Sequence, residues 1–266
     1  MTSHEVTEDA DRAHLLYPNC PQTLVAAAAR GAVASSPRPL RVPTWGLADV
    51  GTTFLAWLML SLTVVIALQA VNASAEVMAV LTVATVPVPW LAMAGWPILV
   101  AHLKGNGARI DFGLRWSRND LAWGLLYGAV ALGLAAGIGY LTTMITGSEI
   151  ESSAGARGAA LASVPAAALV FALFVAVGAP IVEELCFRGL TLCSLAKRGY
   201  APVITVVASA LIFSLFHLEP MRIAMLFGIG VILAIARLHT GSLTTSIVAH
   251  MVVNIPGAVT IALLAA

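Results

Sequence analysis

From residue 47 to residue 266 the chain is a succession of long apolar runs separated by short polar or Gly/Pro breaks. A helix needs about 20 apolar residues to cross a bilayer core. Runs of that kind lie at about 47–72, 77–103, 121–146, 163–197, 202–218, 221–238 and 242–264. The pattern predicts an all-α fold, a polytopic transmembrane helix bundle of about seven spans. Pro87, Pro89 and Pro97 fall inside the second run and predict kinks, because proline lacks an N–H and crowds the preceding turn. Trp45 stands just before the first run, where its ring suits a membrane interface. Gly124/Gly128 and Gly133/Gly137 in the third run have the small-xxx-small spacing that lets helices approach closely. That spacing predicts a packed bundle and says nothing about dimers.

Composition agrees with the pattern. Hydrophobic residues make up 59% of the chain and charged residues 10%, against about 25% charge in a soluble domain. The net charge of +1 gives no sign of a nucleic-acid partner. Residues 1–45 have no apolar core with a cleavage site and are not read as a signal peptide. With Glu8, Asp9 and Asp11 followed by Pro37, Pro39 and Pro43, they read as a disordered tail, with a short helix at about 24–34 as a minor expectation. Cys20, Cys186 and Cys193 have neither metal-site spacing nor a disulfide framework; the last two read as packing residues in a reduced setting.

Basic residues set the expected orientation. Arg30, Arg38 and Arg41 precede the first run, Lys104, Arg109, Arg115 and Arg118 follow the second, Lys197 and Arg198 follow the fourth, and Arg237 ends the sixth. The opposite loops hold Arg157 and Arg222 with Glu76, Glu149, Glu151 and Glu219. This predicts a multi-pass protein of the cell membrane with a cytosolic N-terminus. Glu219 and Arg222 read as solvated loop residues. There is no internal repeat of the kind that marks a transporter built from two related halves.

Against this apolar background a few polar groups need a reason. Glu183, Glu184 and Arg188 lie inside the fourth run, where a charge at bilayer depth costs roughly 2.5–3.5 kcal/mol. Glu184 and Arg188 are four apart with the acid first, the better order for a helical ion pair. Glu183 points about 100° away and is left over. Phe213-x-x-x-His217 ends the fifth run and His250-x-x-x-Asn254 lies in the seventh; each pair shares a helix face. Glu183 lies about 16 residues before the turn at Gly199-Tyr200 and His217 about 17 after it, so an antiparallel pair puts them at one depth. His250 is only about 10 residues from its own turn, so equal depth there requires the fourth helix to protrude or some helices to tilt.

Two His and one Glu are a usual ligand set for catalytic zinc, with a fourth position for water. Without metal, a desolvated Glu can serve as general base while His or Asn stabilises an oxyanion. Either route hydrolyses an amide bond. Each group also has a structural reading. His217 can bond a neighbouring carbonyl, Phe213 can be packing, Asn254 can bond backbone freed by Pro256, and Glu184 with Arg188 can be a structural pair.

Taken in order, Glu183-Glu184-x-x-x-Arg188, Phe213-x-x-x-His217 and His250-x-x-x-Asn254 resemble the three motifs of the CPBP intramembrane protease family. That family includes CAAX prenyl endopeptidases of the Ras-converting type and bacteriocin-processing or self-immunity membrane proteins. The resemblance covers about residues 163–258, within a transmembrane domain at 46–266, and Arg109-x-Asp111-Phe112-Gly113-Leu114-Arg115 resembles a short loop of these proteins. It implies an intramembrane endopeptidase hydrolysing a peptide bond of a membrane-associated or prenyl/peptide substrate. Glu183 would activate water or bind a divalent metal such as zinc, and His217 and His250 would bind the same water or metal. Asn254 would help form the oxyanion site, and Glu184 and Arg188 would support them. The other readings are a non-catalytic immunity or scaffold protein of the same fold and an ion-coupled transporter. The near absence of ionisable groups in the first three runs speaks against the transporter.

Overall fold

The structure is a computed structural model that describes residues 42–148 and 150–266. The tail expected over 1–45, its short helix and Cys20 therefore lie outside the described residues, apart from residues 42–45. Among the described residues every regular element is helical. The long helices are α1 (Leu47–Gln69), α2 (Ala75–Lys104), α3 (Arg118–Thr146), α4 (Pro165–Lys197), α5 (Pro202–Phe216), α6 (Ile223–Thr240) and α7 (Leu243–Leu264). Short helices at Ala108–Asp111 and Ser153–Ala160 are not marked by the hydropathy pattern. The chain is a multi-pass membrane protein, and among the described residues six helices are long and apolar enough to cross a bilayer.

The exception is α5. Its 15 residues span about 22 Å at 1.5 Å per residue, short of a hydrocarbon core of about 30 Å. His217, placed within the fifth run by its pattern, instead sits just past the helix end. In α2 Pro87 and Pro97 stand beside irregularities of the helix, while Pro89 lies inside a helical segment. The helix is interrupted at Val86 before Pro87, and Pro97 opens its last regular segment after a wide turn at Leu91–Gly95.

α3 and α7 pack along the glycines. A β-carbon at Gly124 would lie 2.5 Å from Val248, and one at Gly128 would lie 2.6 Å from Val252 and 2.9 Å from the Ala249 carbonyl. Nothing lies within 4 Å of such an atom at Gly133 or Gly137, so only half of the small-residue pattern is used inside the described chain. Thr245 on α7 also donates to Asp120 on α3 at 3.1 Å. Because His250 lies between Val248 and Val252, this seam sets where it stands. Gly128→Val therefore forces α7 outward. It is expected to lower the thermal unfolding temperature in detergent, overpacking costing typically about 1–3 kcal/mol, while Gly133→Val leaves it unchanged. Equal unfolding temperatures in the two variants would show that the seam is not tight.

The end of the bundle that carries Lys104, Arg115 and Lys197 is tied by polar contacts. Trp45 is not an interface ring: it is buried, its Nε1 donates to Asp111 Oδ2 at 2.7 Å, and it meets Phe112 edge-on at 5.3 Å. Lys197 Nζ donates to the carbonyls of Pro43 and Trp45 at 2.8 and 2.6 Å. Phe112 is fully buried and sits against Gly189 of α4. The loop at 109–115 also reaches the α6–α7 turn, where Leu243 N–H donates to the Gly113 carbonyl at 3.0 Å. This end holds the foot of α4 and the start of α7 together, below the residues of the site.

Candidate active site

α4 is not a regular helix, and Pro180 accounts for one of its two irregular turns. The helix widens into π-type turns at Phe174–Gly178 and Leu185–Thr191. At the first, the N–H of Ala179 bonds the carbonyl of Phe174, five residues back. The next residue in that register is Pro180, which has no N–H, so Val175 would lack a helical donor. Asn254 Nδ2 supplies one at 3.0 Å. Asn254 does satisfy a backbone carbonyl affected by a proline, but on α4 and at Pro180, not on its own helix at Pro256. One amide proton is committed there, and a primary amide has a second. At the other wide turn, Ser209 of α5 donates to the Phe187 carbonyl at 3.3 Å. Such widened turns recur at functional sites because they re-aim side chains. Here they flank the regular segment Ala179–Glu184, which carries both acids.

Glu184 and Arg188 form the expected pair at 2.8 Å, with both side chains 0% exposed. Arg188 also donates to the Gly230 carbonyl at 3.0 Å and lies 4.5 Å over the Phe213 ring. The same Glu184 oxygen is 3.0 Å from His250 Nδ1. A carboxylate already accepting from arginine accepts here too, so the proton of a neutral His250 sits on Nδ1 and leaves Nε2 with a lone pair. His217 reaches the same state by another route. Its Nδ1 is 2.7 Å from the Phe213 carbonyl, which can only accept. The bland reading of His217 as a carbonyl-bonded histidine is thus correct for one ring nitrogen and leaves the other free for chemistry.

Both Nε2 atoms face Glu183. Its Oε2 is 3.8 Å from His217 Nε2 and 3.8 Å from His250 Nε2. That is too long for a direct hydrogen bond and suits one bridging water. Oε2 is buried and takes no hydrogen bond from the protein, although the side chain as a whole is 21% exposed. Helices α4, α5 and α7 thus bring the acid and both imidazoles to one point, despite the unequal distances of Glu183 and His250 from their turns. Phe213 packs edge-on against both rings, at 4.6 Å from His217 and 5.7 Å from His250. It is packing, as its apolar character suggests, and it touches both rings.

In chemical type the donors suit a divalent metal: two imidazole lone pairs with the opposite ring nitrogens engaged, and a carboxylate oxygen with no protein donor. Among the described residues, however, no three His, Cys, Asp or Glu side chains form a ready metal site. Cys186 and Cys193 are free and buried, in line with packing roles.

Sequence reasoning missed Glu219. It is no solvated loop residue. Its Oε1 accepts from the Ser153 N–H at 2.8 Å and from the Ser153 hydroxyl, and its Oε2 pairs with Arg222. Burial alone would raise its carboxyl, but the hydrogen bonds from Ser153 and the Arg222 charge outweigh burial and hold it below the ordinary value. No sequence pattern links positions 66 apart, so no local signal marked this contact.

Residues 165–256 match the family model described as Type II CAAX prenyl endopeptidase Rce1-like. The resemblance to the CPBP intramembrane proteases carried by the three motifs therefore holds over this segment, which contains every candidate site residue. Among curated proteins, the chain is similar to the membrane-embedded CAAX protease MroQ of Staphylococcus aureus (strain USA300), at 34% identity over 90 residues. The alignment covers 32% of this chain and 36% of that protein, so the chain spans about a third of the length of the relative it matches. No solved structure matches the chain.

Proposed function

We propose that the chain is an intramembrane endopeptidase that hydrolyses a peptide bond of a membrane-associated substrate. The observation that carries the proposal is Glu183 Oε2, buried, without a protein donor, and 3.8 Å from each imidazole Nε2. A water between these atoms donates one proton to Glu183 and the other to an Nε2, leaving its lone pair free to attack a carbonyl. Glu183 takes the proton as the tetrahedral intermediate forms and returns it to the leaving amine. The second amide proton of Asn254 is the donor to the developing oxyanion. Glu184 and Arg188 do not touch substrate; they fix the His250 ring and the α4 turn. The family description and the MroQ similarity support this activity, and the place of the site among membrane helices supports a membrane-associated substrate.

A divalent metal such as zinc, if bound, would be held by Glu183, His217 and His250 and would supply Lewis acidity to the bound water. The acid–base steps above do not depend on it. The excess of Lys and Arg at the Lys104/Arg115/Lys197 end supports a cytosolic location for that end and for the N-terminus. The variants Asn106→Cys and Glu151→Cys should be labelled from opposite sides of the membrane by an impermeant thiol reagent. Labelling of Asn106→Cys from outside would reverse the orientation.

The decisive experiment is a peptide-cleavage screen on purified wild type, Glu183→Ala and His250→Ala, with metal content measured on the same samples. Cleavage by wild type alone supports the reading. Equal cleavage by all three removes these residues from the reaction, and no cleavage by any of them favours a non-catalytic role for the fold.

A further inference from the structure

The turn after His217 is held in an unusual way. α5 ends at Phe216, and Leu218 adopts φ +54°, a left-handed conformation that residues with a β-carbon rarely take. Leu218 is 78% exposed, so burial of its own side chain does not compensate for the strain. Conformations of this kind persist only where the surroundings over-determine them.

The surroundings here are the contacts of Glu219. Its carboxylate takes both Ser153 donors and pairs with Arg222. Ser153 opens the short helix Ser153–Ala160, whose first turn is capped by Ser152 through the Gly155 N–H at 2.8 Å. That helix is itself seated on α7. A β-carbon at Gly158 would collide with the Ile261 side chain, and Leu161 is buried in one cluster with Ala258 and Ile261. The contacts therefore close a ring: His217, Leu218, Glu219, Ser153, Gly158, Ile261, and back along α7 to His250. A carboxylate outside the motifs couples the placement of one imidazole to the helix that carries the other.

We propose that Glu219 is a positioning residue. With Ser153 and Arg222 it holds the strained Leu218 turn, which aims His217 Nε2 at Glu183 and sets the spacing of His217 and His250. The proposal deepens the peptidase reading and rests on it for its kinetic consequence, but not for its structural one.

The test has two independent readouts. The first is the rate at which diethyl pyrocarbonate modifies His217, followed by mass spectrometry with His239 as internal reference. Glu219→Ala should raise the His217 rate several-fold and leave His239 unchanged. Glu219→Gln keeps an oxygen for Ser153 but loses the charge opposite Arg222, and should fall between. Leu218→Gly in the Glu219→Ala background should recover part of the protection, because glycine takes positive φ without strain; a merely structural role for Glu219 would not be rescued this way. The second readout is kinetic. Glu219→Ala should lower kcat about 10-fold with KM little changed, as expected when a reacting group is misplaced by a fraction of an ångström. Unchanged His217 reactivity together with unchanged kcat in Glu219→Ala overturns the proposal, and Glu219→Gln decides it if the alanine variant does not fold. If wild type cleaves no peptide, the peptidase reading fails, while the modification rates still decide the role of Glu219.

Discussion

Glu183→Gln is expected to lower kcat by about 10²–10⁴-fold, the usual range for loss of a general base, and to leave the unfolding temperature in detergent unchanged. The two halves of this expectation have separate causes. Glutamine has the shape of glutamate but cannot accept a proton at the moment of attack. The fold is indifferent because Glu183 Oε2 takes no hydrogen bond from the protein and both imidazoles stand 3.8 Å away, so no direct bond is broken. The contrast with Glu184→Gln is informative, since that change strikes a buried ion pair and the His250 contact together. It should lower both activity and stability. Cleavage by Glu183→Gln within a factor of about two of wild type would exclude Glu183 as the base.

Arg188→Ala is expected to cost about 3–5 kcal/mol of stability, the range for removing one partner of a buried pair. It strips Glu184 of its cation in a fully buried place, unbinds the Gly230 carbonyl, and empties the space over Phe213. Poor yield or a large drop in unfolding temperature would be the readout. The double change Glu184→Met with Arg188→Met separates stability from function. Apolar residues of similar volume often replace a buried ion pair with little loss, so stability should return towards wild type. Activity should not return, because His250 then has no acceptor at Nδ1 and its Nε2 lone pair is no longer held towards Glu183. A double variant that regains cleavage would show that the pair does not orient the imidazole. An Arg188→Ala variant as stable as wild type would show that the pair is not structurally required.

The motif residues were legible because each is costly where it stands. A charged or strongly hydrogen-bonding side chain within an apolar run must have a partner or a task. Glu183, Glu184, Arg188, His217, His250 and Asn254 could be picked out on that ground before any contact was known. The polar residues outside the spans carry no such signal. Glu219 looks like any loop acid, and its contact with Ser153 joins segments separated by the whole of α4 and α5. Trp45 looks like an interface ring until the loop at Asp111 is seen folded back over it. Pro180 stood next to the glutamates in plain view, but its consequence needed a third helix. Only the docking of α7 shows that the Val175 carbonyl is supplied by Asn254.

Taken alone, the order of residues determined that this is a membrane helix bundle, roughly where its helices lie, and which side chains do not belong in lipid. Those are properties of local composition and period, and a chain cannot hide them. Tertiary structure decided the rest: that α5 stops short, that the acid stands 3.8 Å from both imidazoles, which nitrogen of each ring faces an oxygen acceptor, and which glycines receive a neighbour. The reason is geometric. Depth and facing depend on helix tilt, helix ends and the side chains packed between helices, and each of these is settled by contacts between segments far apart along the chain.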